Sequence, residues 1–293
     1  MTTGKSSAVT KTLLAHEPLI RLGAFTGIFA VMTLWEWLLP RRNQEIGPAR
    51  RWPSNLGVVA LNTAVVRLVY PAAAVGMAFV AKAHGFGMFY AVELPRFIAI
   101  IASVILLDLA IYLQHVLFHA VPVLWRIHRM HHADLEFDVT TGVRFHPFEI
   151  LLSMVIKLGA VAALGAPAVA VLIFEVLLNA TSMFNHGNVR LPAALDRLMR
   201  WIVVTPEMHR VHHSITPRET NSNFGFNLPW WDRCFGTYRA EPAAGHEQMI
   251  IGIEEFRDPR ELRLDRMLAQ PFRKDVGAYP LGRSSLKDRD FSP

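Results

Sequence analysis

Three long apolar runs dominate the first 120 residues of the chain. They cover residues 22–39, 56–81 and 97–118, and each contains a single Asp, Glu, Lys or Arg. A helix that crosses a bilayer needs roughly 20 mostly apolar residues, and each run meets that need. The pattern therefore predicts about three membrane-spanning helices.

The chain becomes polar and mixed beyond residue 186. Prolines punctuate this part, and no apolar run there is long enough to span a bilayer. We predict that it forms a cap on the membrane helices. Residues 257–293 are rich in charge, proline and glycine and are predicted to be a polar C-terminal tail. Residues 1–256 are then one membrane-embedded domain.

The composition supports an integral membrane protein. Hydrophobic residues make up 52% of the 293 residues and charged residues 18%, and the mean hydropathy of +0.27 is high for a soluble protein. The net charge is +6. Many positive residues flank the apolar runs and no nucleic-acid motif is present, so the charge favours anionic lipid over nucleic acid as a partner.

Nine of the thirteen histidines follow a regular spacing. They form one His-x-x-x-His pair, two His-x-x-His-His motifs and one single site. These histidines are His115 and His119, then His128, His131 and His132, then His186, then His209, His212 and His213. The recurrence predicts a metal centre.

Helix geometry explains why this spacing suits metal ions. Residues three and four apart share a helix face, while an adjacent residue is offset by about 100° and can reach a second ion. Nine imidazoles exceed the roughly four ligands of a tetrahedral zinc, so two ions are predicted. Imidazole suits iron, copper, zinc or nickel, and a single cysteine, Cys234, excludes an iron–sulfur cluster.

The arginine distribution predicts the orientation in the membrane. Arginines cluster after the first apolar run and after the third, at Arg41, Arg42, Arg50, Arg51, Arg126, Arg129 and Arg144. Positive loops lie on the cytoplasmic side, whereas the weakly charged loop 82–96 is expected on the other side. The histidine-lined metal cap is therefore expected on the cytoplasmic face.

A fourth apolar stretch, residues 150–178, separates the first histidines from the last. If all nine histidines line one metal site, this stretch must begin and end on the same side of the membrane. At 1.5 Å per residue it is too short for two full spanning helices, and Gly159, Gly165 and Pro167 interrupt it. A re-entrant or short-helix hairpin is predicted. The alternative, a single crossing, would separate the two halves of the cage.

Several residues are candidates to orient the ligands from behind. Asp108 precedes His115 by two helical turns on roughly the same face. Asp134, His146 and Asp232 are further candidates, each with a surface or capping role as its alternative. The carboxylates Asp138, Glu149 and Glu207 are candidates for the same role, again with a surface or capping role as the alternative. No catalytic residue is predicted beyond the metal centre itself.

The histidine motifs resemble those of the fatty acid hydroxylase / sterol desaturase superfamily, whose members are membrane-bound diiron oxygenases. The resemblance covers about residues 108–238, and includes the sequence NHGN at residues 185–188 and WDRCFGTY at residues 231–238. The TPEMHRVHH sequence at residues 205–213 is also similar to alkylglycerol monooxygenases. That local match does not fix the substrate.

The resemblance implies a function for the cage. The nine histidines would bind two iron ions, which would use O2 to convert a C–H bond of a lipid into an alcohol or an alkene. No cysteine cluster or nucleotide-binding glycine pattern supplies electrons within the chain. A separate redox partner is expected, or a pterin if the ether-lipid resemblance is the closer one.

Two other classes of protein remain open at this point. A zinc-dependent membrane hydrolase would use a metal-bound water, but the common His-Glu-x-x-His motif is absent from the sequence. A metal transporter would place histidines at several depths, whereas here they cluster toward one face. The metal bound by the protein separates the three classes.

Overall fold

The computed structural model describes residues 10–273 and 276–281. In this part of the chain the structure is almost entirely helical, and the only β-pairing is two isolated bridges, Pro40 with Val189 and Ser214 with Ile251. Helical segments of sufficient length and apolar character to cross a membrane occur five times. The predicted all-α membrane fold is confirmed.

The long helices come first. Helix α1 covers Glu17–Leu38, α2 Pro48–Val69, α3 Ala73–His84, the short α4 Met88–Ala91, and α5 Arg96–Ala120. Helix α1 exposes large apolar side chains, among them Leu22, Val31 and Trp37. Such a surface is expected of a helix that faces lipid.

The second predicted span is not a single helix. Helix α2 ends at Val69, the residue before a Tyr-Pro pair, and α3 begins at Ala73. Pro71 breaks the helix because a proline cannot donate the next backbone hydrogen bond and disfavours a helical residue before it. The apolar run 56–81 therefore contains a turn that its hydropathy alone does not reveal.

The predicted hairpin is present, but the expectation that it is too short for two spanning helices is wrong, because both of its helices are long and apolar enough to cross a membrane. Helix α7 covers Pro147–Leu164 and α8 covers Ala168–Asn185. Each has 18 residues, or about 27 Å of helix. The turn between them uses Gly165 in the left-handed conformation, at φ 67°. Helix α8 continues beyond residue 178, and the side chains of Asn179 and Thr181 there donate hydrogen bonds to carbonyls of their own helix.

The tip of this hairpin packs against the segment between α3 and α4. A Cβ atom added to Gly87 would lie 2.3 Å from the amide nitrogen of Gly165, so the two backbones touch. At the other end of the hairpin, Glu149 of α7 contacts His128 and His186 follows the last residue of α8. Both ends of the hairpin therefore lie at the histidines, as a single cage requires.

Short helices form the cap. They are α6 at Pro122–His132, α9 at Ala193–Met199, α10 at Pro206–His212, α11 at Pro217–Thr220, α12 at Trp230–Cys234, α13 at Gly245–Gln248 and α14 at Leu264–Ala269. Helix α6 packs on the end of α5. The described part of the predicted tail adds α14 between two 3-10 turns, and Leu262, Met267 and Tyr279 are buried. The boundary at residue 257 stays a prediction.

A buried ion pair joins the cap to the membrane helices. Arg51 of α2 donates two hydrogen bonds of 2.8 Å to the carboxylate of Asp134, which follows α6. Both side chains are completely buried. The two arginine-rich segments predicted to share a membrane side therefore do lie together.

Candidate metal centre

The structure brings all nine predicted histidines together in two adjacent groups. The five-histidine group consists of His115, His119, His128, His132 and His212, and the four-histidine group consists of His131, His186, His209 and His213. Within each group the candidate ligand nitrogens lie within 4.8 Å of one another. All nine rings are buried. Each group has the residues to hold a metal ion.

Four chain segments supply the rings. Helix α5 contributes its last two histidines, α6 ends on the first His-x-x-His-His motif, and His186 caps the C-terminal end of α8. Helix α10 carries the second motif and is started by Thr205, whose hydroxyl accepts a hydrogen bond from the Met208 amide. Proline at its first position also favours a helix start there. The hairpin is thus what carries His186 to the other histidines.

Each His-x-x-His-His motif is divided between the two groups. In α6, the residues four apart, His128 and His132, join the five-histidine group, and His131 joins the other. The second motif is divided the other way round. His209 and His213 belong to the four-histidine group, and His212 belongs to the five-histidine group. The first and last positions of the motif share a helix face, and the middle histidine crosses to the second group.

The separations between nitrogens fit ligands of a common ion. His186 Nε2 lies 3.1–3.2 Å from the Nε2 atoms of His131, His209 and His213. In the other group, His128 Nε2 lies 3.1 Å from His115 Nε2 and 3.2 Å from His132 Nε2. Two nitrogens bound at ~2.1 Å to one ion, at angles of 90–109°, would lie roughly 3.0–3.4 Å apart.

The outward nitrogens of the rings fix the tautomers. His115 Nδ1 donates to the Phe224 carbonyl at 2.7 Å, and His186 Nδ1 donates to the Ser182 carbonyl at 2.7 Å. His212 Nδ1 does the same with the carbonyl of Ser222 at 2.7 Å. A neutral ring that donates from Nδ1 has a free lone pair on Nε2, which is the form that binds a metal.

Burial keeps these imidazoles neutral. Removal from water lowers the pKa of His186 to about 3, and the same effect lowers the pKa of His131 and His213 well below the usual value. The neighbouring histidines add to the shift at His131 and His213, since one charged ring would repel the next. The rings are therefore ready to bind a cation without first losing a proton.

Two buried imidazole nitrogens without a hydrogen-bond partner in the described part of the chain also fit a metal site. His119 Nε2 and His212 Nε2 are buried and have no hydrogen-bond partner among the described residues. A buried polar atom without a partner is costly, and a bound cation would satisfy both atoms. The donor set consists only of imidazoles, as iron, copper, zinc or nickel prefer.

One carboxylate contacts a histidine of the two groups directly. Glu149, in the first turn of α7, accepts a hydrogen bond of 2.7 Å from His128 Nδ1. Its side chain is 4% exposed. A carboxylate behind a ligand imidazole fixes the ring and raises its basicity. Glu149 is one of the candidate carboxylates of the sequence analysis. It makes the hydrogen bond to an imidazole that was expected of Asp108.

Asp108 makes its hydrogen bonds to α12 and the loop before it, and not to a histidine. Its carboxylate accepts hydrogen bonds from the amides of Asn227 and Leu228 and from Trp231 Nε1, the last at 2.8 Å. The helical spacing placed Asp108 on the side of His115 correctly. The loop before α12 offers two donors to Asp108 and α12 itself a third, however, so the expected contact with an imidazole is not made.

Asp134 and His146 also lie apart from the imidazoles. Burial alone would raise the pKa of the Asp134 carboxyl, but the charges of Arg51 and Arg144 outweigh it and lower that pKa. Asp134 is thus half of an ion pair. His146 caps α7 by accepting a hydrogen bond from the Phe148 amide, and burial lowers its pKa. This is the capping alternative that the sequence left open for His146.

Asp232 acts through the backbone. Its carboxylate accepts hydrogen bonds from the amides of Phe224 and Gly225, at 2.8 and 2.9 Å. The carbonyl of Phe224 is the group that holds His115. Burial raises the pKa of Asp232 to about 6, although these hydrogen bonds oppose the shift. Asp232 therefore positions a ligand histidine at one remove.

Sequence reasoning missed two positioning residues. Asn221 accepts a hydrogen bond from His119 Nδ1 at 3.1 Å. Gly142 lies against the hairpin, where an added Cβ would be 2.4 Å from the Ser182 carbonyl oxygen and 3.1 Å from His186 Nδ1. The NSNFGF sequence around Asn221 has a glycine and aromatics, which indicate a turn and an apolar surface and not a contact with a histidine, and no pattern near Gly142 points to a contact forty residues away.

Comparisons with known proteins support the family that the histidine motifs predict. Residues 100–237 match the family model described as fatty acid hydroxylase. This segment contains all nine histidines, and the resemblance predicted from their motifs is confirmed. No solved structure matches the chain significantly.

Curated relatives are similar over the same part of the chain. The chain is 29% identical to an ornithine lipid hydroxylase of Rhizobium tropici over 155 residues, which are 53% of this chain and 46% of the relative. It is 26% identical to the alkylglycerol monooxygenase of Xenopus tropicalis over 50% of this chain and 31% of the relative. Cholesterol 25-hydroxylase of Rattus norvegicus is 27% identical over 55% and 53%. The chain thus spans about a third to a half of the length of these relatives.

Proposed function

Because its histidine-bearing part, residues 100–237, is of the fatty acid hydroxylase family, we propose that this protein is a membrane-bound non-haem diiron oxygenase. It hydroxylates or desaturates a C–H bond of a lipid, using O2 and external electrons. The observation that carries the proposal is the division of nine buried, neutral imidazoles into two adjacent groups.

The imidazole donors suit several metals, and iron is proposed in both groups because residues 100–237 match the fatty acid hydroxylase family, for which a redox metal is expected. An unactivated C–H bond has no acidic proton and no electrophilic carbon, so acid–base or nucleophilic side chains alone would not attack it. Redox metal ions, when bound, supply the oxidising power for such a bond. The protein residues hold the ions, orient the imidazoles and keep water away.

Aromatic rings provide the dry surroundings. Phe145 stacks on His131 with centroids 4.5 Å apart, and Phe137 stacks on His186 at 5.5 Å. Phe226 lies 5.0 Å from the ring of His115. These contacts exclude solvent from the imidazoles and leave apolar surface beside them, which suits an acyl or sterol chain better than a polar substrate.

The substrate is proposed to be a lipid of the surrounding bilayer. The relatives act, by their names, on an ornithine lipid, on alkylglycerols and on cholesterol. These molecules share hydrophobicity and membrane location and little else. The proposal is therefore limited to lipids as a class, taken up from the membrane that α1 and α5 cross.

Electrons are proposed to come from outside the chain, from a separate redox protein or a pterin. Purified protein loaded with iron and given O2 and lipid should complete at most one turnover. A reductase with a small electron carrier should restore repeated oxidation, and a reduced pterin should do so instead if the alkylglycerol monooxygenase relationship extends to the donor.

Metal content and oxygen dependence test the proposal together. We expect about two irons per chain and no product under strict anoxia. Zinc at the site with product formed equally well without O2 would favour a membrane hydrolase. Weak, exchangeable occupancy by several metals with no lipid product would favour a transporter.

The active site is proposed to face the cytoplasm. The arginines around Arg42 and Arg51 lie at the histidine end, next to the cap, and positive loops mark the cytoplasmic side. Single cysteines placed at Arg50 and Arg218 in a Cys234→Ser background should be labelled from that side, and one at Lys82 from the other. The reverse pattern would contradict the orientation and leave the chemistry untouched.

A further inference from the structure

An exposed apolar surface lies on the cap, outside the helices long enough to span. It consists of side chains from α9, the turn after it, and α12, which we call the interfacial patch: Leu195, Leu198, Trp201, Ile202, Trp230 and Phe235. Leu198 is 64% exposed, Ile202 65% and Phe235 57%. Exposed apolar side chains grouped in this way mark a surface that contacts a partner or a membrane.

The patch is built as one unit. Trp230 Nε1 donates a 2.8 Å hydrogen bond to the carbonyl of Trp201, which ties α12 to the turn after α9. The guanidinium of Arg233 lies between the rings of Trp201 and Tyr238, 4.1 Å from each centroid. Cation–π contacts on both faces hold the two segments in one geometry.

Two contacts fix the height of the patch along α5. Trp231 donates to Asp108, and Phe235 stacks on Tyr112 with centroids 5.4 Å apart. Tyr112 lies two turns, or about 12 Å, before the end of α5 at Ala120. Nearer that end, Leu113 and Leu117 still expose 50% and 45% of their surface. The patch therefore stands at a level where α5 shows apolar side chains to its surroundings.

We propose that the interfacial patch is inserted into the headgroup and upper acyl layer of the same bilayer that α5 crosses. The patch is continuous with the lipid-facing surface of α5 through Phe235 and Tyr112. Its tryptophans have the amphipathic character that favours the membrane interface. This inference rests on the membrane location of α5 and does not depend on the proposed chemistry.

Basic side chains beside the patch fit lipid phosphates. Arg197, Arg200 and Arg233 line a cavity of about 340 Å³ next to Trp201. The carboxylates there, Asp196 and Glu241, lie 2.7 and 3.7 Å from Arg200. Arg197 is exposed, so its guanidinium can meet phosphate oxygens, whereas Arg233 lies between aromatic rings and donates a hydrogen bond to the Arg200 carbonyl.

Membrane insertion of the interfacial patch would help to hold one histidine of the metal centre in position. Asp232 lies in α12 between Trp231 and Arg233, and it holds the peptide of Phe224 whose carbonyl orients His115. Anchoring α12 at the interface keeps that peptide in place and holds the cap against the membrane surface.

The chain offers a reporter for the test. Cys234 is its only cysteine, is exposed, and lies in α12 next to Phe235. We would reconstitute the full chain in phosphatidylcholine vesicles and attach a nitroxide at Cys234. In a Cys234→Ser background, Leu198→Cys and Ile202→Cys would carry the same label. Arg260→Cys is the control, since the Arg260 side chain is 82% exposed and distant in sequence from the patch. Helix content would be measured by circular dichroism in each variant to verify the fold, which is almost entirely helical in the described part of the chain.

Collisions with O2, which concentrates in hydrocarbon, are compared with collisions with a water-soluble nickel chelate. We expect O2 to dominate at residues 198, 202 and 234 and nickel to dominate at residue 260, with the accessibility ratio differing at least several-fold. Nickel accessibility equal to that of the control would place the patch in water. Low accessibility to both reagents would mean that a protein covers it. Either result overturns the proposal.

Introducing negative charge into the interfacial patch provides a second test. The double change Leu198→Glu and Ile202→Glu should move the Cys234 label toward the nickel reagent, whereas Leu198→Ala with Ile202→Ala should leave it largely unchanged. A label that does not respond to the glutamates would also contradict the proposal.

Discussion

The five-histidine group and the four-histidine group differ in what lies behind their imidazoles. Behind the first group are the side chains of Glu149 and Asn221 as well as backbone carbonyls. Behind the second are carbonyls only, those of Arg144 and Ser182. The outward nitrogens of His209 and His213 have no partner among the described residues.

This difference separates two ways of building a metal site. In the five-histidine group, polar side chains orient the rings, and single substitutions can change that orientation. In the four-histidine group, orientation comes from where α8 and the 3-10 turn at Thr141–Val143 place their backbones. With one imidazole fewer and fewer hydrogen bonds, the second group should hold its ion less tightly and lose it first to a chelator.

The largest effect is expected from removing a ligand of either group. His131→Ala and His212→Ala should each abolish activity, and each should lower bound metal by up to one ion, because no neighbouring residue can replace the lost imidazole. The metal retained should differ, with the more tightly bound ion surviving in His131→Ala. Metal analysis of purified protein after brief chelation would measure this.

His84→Ala is the matched control, since His84 is exposed and lies at the opposite end of the bundle. Full activity with unchanged metal in either ligand variant would refute the assignment of both groups.

A backbone change should affect the four-histidine group alone. In Gly142→Ala the new Cβ would meet the Ser182 carbonyl oxygen at 2.4 Å, so Ser182 and the neighbouring His186 must shift. We expect one ion to be lost or weakened by at least tenfold in affinity, on the order seen when a ligand loses its support. Isothermal metal titration would detect it.

Gly159→Ala is the natural comparison, because nothing lies within 4 Å of a Cβ added at Gly159 in α7. Equal metal binding by the two alanine variants would mean that the contact at Gly142 does not position His186.

An effect of similar size, confined to the five-histidine group, is expected from Glu149. Glu149→Ala leaves His128 Nδ1 without its acceptor and should reduce metal affinity by about 10–100-fold. Glu149→Gln retains an acceptor oxygen and should recover part of that loss. If the alanine and glutamine variants bind metal equally, an acceptor oxygen at residue 149 does not orient His128, and the two groups do not differ in this respect.

The smallest effect concerns Asp232 and is seen in stability. Its pKa of about 6 lies above the usual value near 3.8, so the folded state favours the protonated carboxyl. This contribution is present at pH 4 and is lost as the pH rises through 6. In Asp232→Asn the thermal midpoint of the metal-free protein should depend less on pH between 4 and 7. An unchanged pH profile would show that another group titrates there.

Much of the fold followed from local patterns. The apolar runs predicted the long helices, and the spacing of the histidines selected the nine that the structure brings together. These signals are local because helix periodicity repeats every few residues and a hydrophobic run is read along the chain. The break at Pro71 was also readable in principle, since proline acts on its immediate neighbours.

The sequence by itself determined which nine histidines are the candidate metal ligands, that the chain has helices suited to a membrane, and the family that its histidine motifs resemble. Only the tertiary structure decided which histidine joins which group, that Glu149 rather than Asp108 holds a ligand, and that Gly142 touches the hairpin. These outcomes depend on contacts between segments that are distant in the chain. Spacing gives the face of one helix, whereas the partner of that face depends on how several helices pack together.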